Sequence, residues 1–146
     1  MVLAKIDELV AADSEMEVYM GPTRVAALLG LGRLEKASAY GNAFVKGIGK
    51  DNAQALNALA WTIVDPKAKY EKRDLPLALA AATRASTLTE DKDPSTIDTL
   101  ARVYFVMGQV DKAIELQQKA VDLAKGTGWE KELTHRLEEY KGAAKS

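Results

Sequence analysis

Small residues recur at regular intervals inside segments that otherwise favour helix strongly. Between residues 98 and 126, Ala101, Gly108, Ala113 and Ala120 are separated by large apolar side chains at helical spacing. Small side chains let two helix axes approach each other, while their larger neighbours fill the grooves between them. We find no alternating strand pattern, so the sequence predicts an all-α fold of closely packed helices.

The periodicity predicts about eight helices in antiparallel pairs. Asp74 and Asp93 are good N-cap residues, and each comes just before a proline that fits the first turn of a helix. Gly108 is expected to close a helix, since glycine accepts the left-handed conformation at helix ends. Gly21 and Pro22 interrupt the second helical segment, which is predicted either to break there or to begin a new helix at Pro22.

Composition limits the classes of function. The 146 residues include 20 basic and 21 acidic side chains, so no global field attracts nucleic acid or anionic lipid. Cysteine is absent, which excludes disulfides and thiolate metal sites in this chain. The apolar runs are far shorter than the ~20 residues that cross a bilayer, and the acidic, amphipathic start is not typical of a signal peptide. We expect a soluble domain without nucleic-acid or membrane partners, and the compartment stays open.

The segment 94–127 resembles a tetratricopeptide repeat, a helix pair with a period of about 34 residues. The positions that carry the resemblance are Ile97, Leu100, Ala101, Tyr104, Gly108, Ala113 and Ala120. The resemblance implies a right-handed superhelix of antiparallel helix pairs, with about three repeats and a capping helix.

The same pattern extends over most of the chain as a single domain, 1–146. Residues 53–93 form an irregular copy, because the insertion 65–74 makes the turn between its helices too long. Residues 22–50 form a degenerate copy, and residues 128–146 match a capping helix, which repeat stacks need at their ends.

A second, weaker resemblance rests on the alanine- and leucine-rich texture of "ALNALAW" and "LALAAATRAS". This texture is similar to the helical region that follows a thioredoxin-like domain in some bacterial proteins. It implies that the helices dock on a redox domain that is not part of this chain.

The repeat resemblance implies a concave face, lined by the first helix of each pair, that binds peptide segments. The groove candidates are Asn57, Trp61, Asp98, Arg102 and Phe105. An amide and a guanidinium suit backbone carbonyls or a peptide carboxylate, and a tryptophan adds apolar area and a cation–π partner. The alternative stays open that Trp61 is a core residue and that Arg102 pairs with Asp98 on the surface.

The chain offers little for other chemistry. His135 is the only histidine, and the carboxylates are scattered as helix caps and pairing partners such as Glu132 with Arg136. We therefore predict no catalytic residue, no metal site and no cofactor. The insertion 65–74 is either a small basic-aromatic patch around Tyr70 or a solvated loop.

These observations predict a protein–protein interaction module that captures an extended segment or a helix in its concave groove. The alternative is a structural domain that docks on a larger protein, such as a thioredoxin-like redox protein, or that self-associates into a homo-oligomer. In that case the groove has no free ligand.

Overall fold

The structure of the chain is a computed structural model, which describes residues 1–145. Within this range it contains eight α-helices and no strand, so the predicted all-α fold is confirmed. The helices are α1 (Val2–Ala12), α2 (Met16–Gly30), α3 (Leu34–Lys46), α4 (Ala53–Val64), α5 (Leu75–Leu88), α6 (Pro94–Val106), α7 (Val110–Leu123) and α8 (Glu130–Ala144).

The helices pack in two interleaved rows. Helices α2, α4 and α6 contact one another in that order, and α3 contacts α5. Each member of the first row also packs against the helix that follows it, which gives the pairs α2–α3, α4–α5 and α6–α7. Helix α4 is central to the core, since Leu56, Leu59 and Ile63 have no exposed surface.

The small residues lie where helices meet. Ala101, Ala113 and Ala120 are completely buried, as are Ala60 and Ala78 in the preceding pair. This is the arrangement that the spacing predicts, because alanine leaves room for a neighbouring helix.

The predicted helix starts are confirmed for α5 and α6. The side chain of Asp74 accepts a hydrogen bond of 3.0 Å from the backbone N–H of Leu77. Asp93 accepts one of 2.9 Å from the N–H of Ser95. The helix that ends before Gly108 is followed by left-handed backbone, with a φ of 85° at that glycine.

The prediction for Gly21 and Pro22 was wrong, because α2 runs through both residues without a break. Both are buried, and a Cβ atom added to Gly21 would lie 2.3 Å from the ring of Phe44 in α3. Contact between α2 and α3 thus favours a continuous helix, although Pro22 has no backbone N–H and α2 lacks the hydrogen bond that this group would donate.

The insertion 65–74 is partly anchored on the end of α4. Arg73 donates hydrogen bonds to the carbonyl oxygens of Ile63 at 2.6 Å and Asp65 at 3.2 Å. Its guanidinium lies 5.1 Å from the ring centre of Tyr70. Lys67 and Lys69 are exposed to solvent, so only the part around Arg73 departs from a solvated loop.

Candidate interaction groove

An open groove of about 530 Å³ lies between α4, α6 and the start of α8. Its chemically distinctive lining residues are Asn57 and Trp61 of α4, Asp98 of α6, and Trp129, Glu132 and Arg136 at α8. Helix α4 contacts α6 directly, and α8 is joined to α6 here by the hydrogen bonds of Arg136 to Asp98.

Three of the five predicted groove residues line this groove, namely Asn57, Trp61 and Asp98. Arg102 and Phe105 lie one and two turns beyond Asp98 in α6, and neither of them lines the groove. The groove therefore joins the N-terminal half of α6 to α8, a helix that supplied none of the sequence candidates.

Arg102 and Phe105 instead join α6 to its neighbours. Arg102 donates to the carbonyl oxygen of Val64 at 3.4 Å and pairs with Glu139 at 3.6 Å. Its guanidinium lies 5.4 Å from the ring centre of Phe105, and that ring stacks on Tyr140 with 4.4 Å between centres. The surface pair of Arg102 with Asp98 that the i,i+4 spacing allowed is therefore not formed.

Asp98 binds a guanidinium 38 residues away in the chain. Both of its carboxylate oxygens lie 2.6 Å from one terminal nitrogen of Arg136. The buried amide of Gln117 in α7 donates a further hydrogen bond to Asp98 at 2.9 Å. Three helices thus share one polar cluster beneath the groove.

Burial and ion pairing have opposite effects on the pKa values of Asp98 and Arg136. Burial raises the pKa of Asp98 above its ordinary value, while Arg136 and Gln117 oppose the rise. Burial also disfavours the charged form of Arg136, but Asp98 together with Tyr140 and Glu132 outweighs this effect, so the pKa of Arg136 is raised. The guanidinium is therefore held as a cation in a fixed position.

Trp61 is half-buried and lies against this cation. The guanidinium of Arg136 is 5.2 Å from the ring centre of Trp61, within the range of a cation–π contact. One turn earlier, the amide nitrogen of Asn57 donates to the hydroxyl of Ser95 at 3.3 Å. The amide oxygen of Asn57 is buried and has no partner among residues 1–145.

Sequence reasoning missed Trp129, Glu132 and Arg136 as groove residues. Trp129 precedes α8 with 62% of its surface exposed, and Glu132 pairs with Arg136 at 3.2 Å, as its i,i+4 spacing predicted. The repeat resemblance predicted a capping helix over residues 128–146 but did not predict which of its polar side chains face the groove. A second tryptophan at the start of that helix was the available signal.

Comparison with known proteins adds no assignment. No protein-family model matches the chain, and no curated protein or solved structure is significantly similar to it. In the part of the chain that the structure describes, no helix is long and apolar enough to cross a membrane. Over the same residues, no three His, Cys, Asp or Glu side chains are grouped so that they could hold a metal ion.

Proposed function

We propose that the chain is a protein-interaction module whose groove between α4, α6 and α8 holds a segment of another protein. One observation carries the proposal: both tryptophans of the chain line this one open groove, and Trp129 is largely exposed there. Tryptophan is enriched at the anchor positions of protein interfaces, because it contributes a large apolar area and a polar N–H.

The proposed scaffold is a right-handed stack of antiparallel helix pairs of the tetratricopeptide type. Its support is the row of α2, α4 and α6, the pairing of each with the next helix, and the buried alanines at the contacts. In such a stack the first helices of successive pairs face the ligand. The groove lies along the corresponding helices α4 and α6 and continues on α8.

The polar groups favour recognition of a peptide backbone. The amide nitrogen of Asn57 donates one hydrogen bond, to Ser95, and carries a second N–H that suits a backbone carbonyl of an incoming segment. Arg136 is occupied by Asp98 and Glu132, so its role is to position the ring of Trp61. We therefore assign the anchoring of a ligand to Trp61, Trp129 and Asn57, and we assign no catalysis to the groove.

A second candidate function, docking or self-association through another face, has one observation in its favour. Tyr19 and Ile48 are exposed by 65% and 53%, and with Val18 they line a second open depression of about 510 Å³. The apolar side chains of α1 add less to such a face: Val2 is exposed, but Ile6 is buried and Leu3 packs against the buried residues of the core.

Selection from a random peptide library tests the groove against the second face. The immobilised full chain would be compared with two variants, Trp129→Ala in the groove and Tyr19→Ala on the other face. The two aromatic side chains are similarly exposed, so neither substitution removes much folded-state packing. Circular dichroism would verify that each variant is folded.

We expect peptides enriched on the wild type to be retained by Tyr19→Ala and to bind at least tenfold more weakly to Trp129→Ala, since loss of an anchor costs about 2 kcal/mol. Equal enrichment by wild type and Trp129→Ala would contradict the groove. Loss confined to Tyr19→Ala would favour the second face.

A further inference from the structure

Acidic side chains outnumber basic ones in the lining of the groove. Asp93, Asp98 and Glu132 line it with negative charge, and Arg136 is the one basic side chain in the lining formed by the described residues. The whole chain is nearly neutral, with a formal net charge of −1, so this imbalance is a local property of the groove.

The carboxylates differ in what they can offer to a ligand. Asp98 is buried and both of its oxygens are bound by Arg136. Glu132 keeps 58% of its side-chain surface exposed and contacts Arg136 through a single oxygen at 3.2 Å. Asp93 uses one oxygen to cap α6. The charge that a ligand meets is therefore mainly that of Glu132, with Asp93 contributing from the start of α6.

Trp129 lies three residues before Glu132, at a spacing that places side chains on one helix face. An exposed indole beside an exposed carboxylate provides two attractions for the same cation, one through the ring and one through the charge. A neutral or acidic side chain at this position would gain neither of them.

We propose that the occupant of the groove is a basic protein segment, with a lysine or arginine side chain bound between Glu132 and the ring of Trp129. This inference rests on the proposed function of the groove and adds the charge of its ligand. The Asp98–Arg136 pair sets the floor beneath that side chain and keeps Trp61 in place beside it.

The composition of the peptides selected on the wild-type chain directly tests whether the groove prefers a basic ligand. Two further variants isolate Glu132: Glu132→Gln in the groove, and Glu138→Gln on the same helix outside the lining. The side chains of Glu132 and Glu138 are 58% and 66% exposed, so the pair is well matched. Binding would be measured for one selected peptide by tryptophan emission, since both tryptophans of the chain line the groove.

We expect an excess of lysine and arginine among the selected peptides. Glu132→Gln should weaken binding about two- to fivefold at low salt, the range for one exposed charge, and Glu138→Gln should leave it unchanged. Selected peptides that are neutral or acidic, or equal losses in the two variants, would overturn the basic-segment inference and leave the groove proposal standing. Selection that Trp129→Ala does not impair would overturn both.

Discussion

Gln117 is the residue through which three helices of the C-terminal half are joined. Its side chain has no exposed surface, and its amide nitrogen donates to Asp98 of α6 at 2.9 Å and to the carbonyl of Leu133 in α8 at 3.1 Å. A buried donor that satisfies two acceptors fixes the rotation of both helices relative to α7. That rotation determines which side chains of α6 and α8 face the groove.

Tyr140 is another buried residue of this region that carries a polar group. Its ring stacks on Phe105, and its hydroxyl is buried without a hydrogen-bond partner in the described part of the chain. Burial raises the pKa of Tyr140 above its ordinary value of 10.0, and the charge of Asp98 raises it further. The folded chain therefore keeps this proton at a pH where the unfolded chain has lost it.

The substitution Tyr140→Phe is expected to change the pH dependence of stability in the alkaline range. Because the pKa is raised by folding, the wild-type contribution is present below pH 10 and is lost as the pH rises above it. The variant lacks this loss, so its free energy of unfolding should fall less steeply above pH 10. Near neutral pH the two chains should agree within about 1 kcal/mol, since the removed hydroxyl had no partner.

Urea unfolding monitored by circular dichroism at a series of pH values provides the measurement. A variant that loses stability with the same alkaline slope as the wild type would show that Tyr140 ionises alike in the folded and unfolded chain. A loss of several kcal/mol at neutral pH would instead reveal a hydrogen bond to the hydroxyl.

At the scale of single elements, the contact of α2 with α3 shows packing prevailing over local preference. Phe44 of α3 meets two glycines, Gly21 of α2 and Gly49 beyond the end of α3, and a Cβ atom at either would lie within 2.3 Å of its ring. Glycine disfavours helix by about 1 kcal/mol relative to alanine, and proline at the next position disfavours it more. The buried ring of Phe44 offsets these costs, so α2 continues across Gly21 and Pro22.

Gly21→Ala should therefore destabilise the fold although alanine favours helix. The added methyl group must displace Phe44 from a close-packed site, and overpacking of this kind costs about 1–3 kcal/mol. Gly30→Ala is the matched control in the same helix, because a Cβ built there has no packing neighbour within 4 Å apart from the local chain. We expect the control to be neutral or stabilising by up to about 1 kcal/mol.

Thermal unfolding of the two variants and the wild type distinguishes these effects. If both alanines stabilise the chain, helix propensity governs α2 and the contact with Phe44 is readily relieved. A double variant, Gly21→Ala with Phe44→Leu, should recover part of the loss because leucine leaves the space that the methyl group needs.

At the scale of the whole molecule, the sequence predicted the elements better than the side-chain contacts between them. Apolar periodicity and the caps Asp74 and Asp93 predicted most helix positions, because both are local signals. The continuity of α2 could not be predicted in this way, since it depends on Phe44 in another helix.

Prediction of the candidate groove was limited in the same way, because contacts between distant residues leave no local signal in the sequence. Asn57, Trp61 and Asp98 were predicted as groove residues, and the structure places all three in one lining. The partner of Asp98 was not predicted, because local spacing offers Arg102 four residues away while the bound guanidinium of Arg136 is 38 residues distant. Pairing at that distance depends on how α8 packs against α6, for which a single sequence carries no signal.

The core is divided in a way that matters for unfolding. One large cluster joins α2 to α6 and includes Leu59, while two smaller clusters are built by α6, α7 and α8 and include Leu137 and Tyr140. Helix α6 contributes to all of them. Where helix pairs contact mainly their neighbours, stability is a sum of local units, and an end can open while the remainder stays folded.

Leu137→Ala and Leu59→Ala test this division with the same chemical change at two buried sites, exposed by 3% and 0%. Each should cost about 2–5 kcal/mol through lost packing. We expect Leu137→Ala to accelerate amide hydrogen exchange in α7 and α8 and to leave the amides of α4 and α5 nearly unchanged. Leu59→Ala should accelerate exchange in α4 and α5 most strongly. Equal acceleration along the whole chain in both variants would show one cooperative unit, and α8 would then open only when every other helix does.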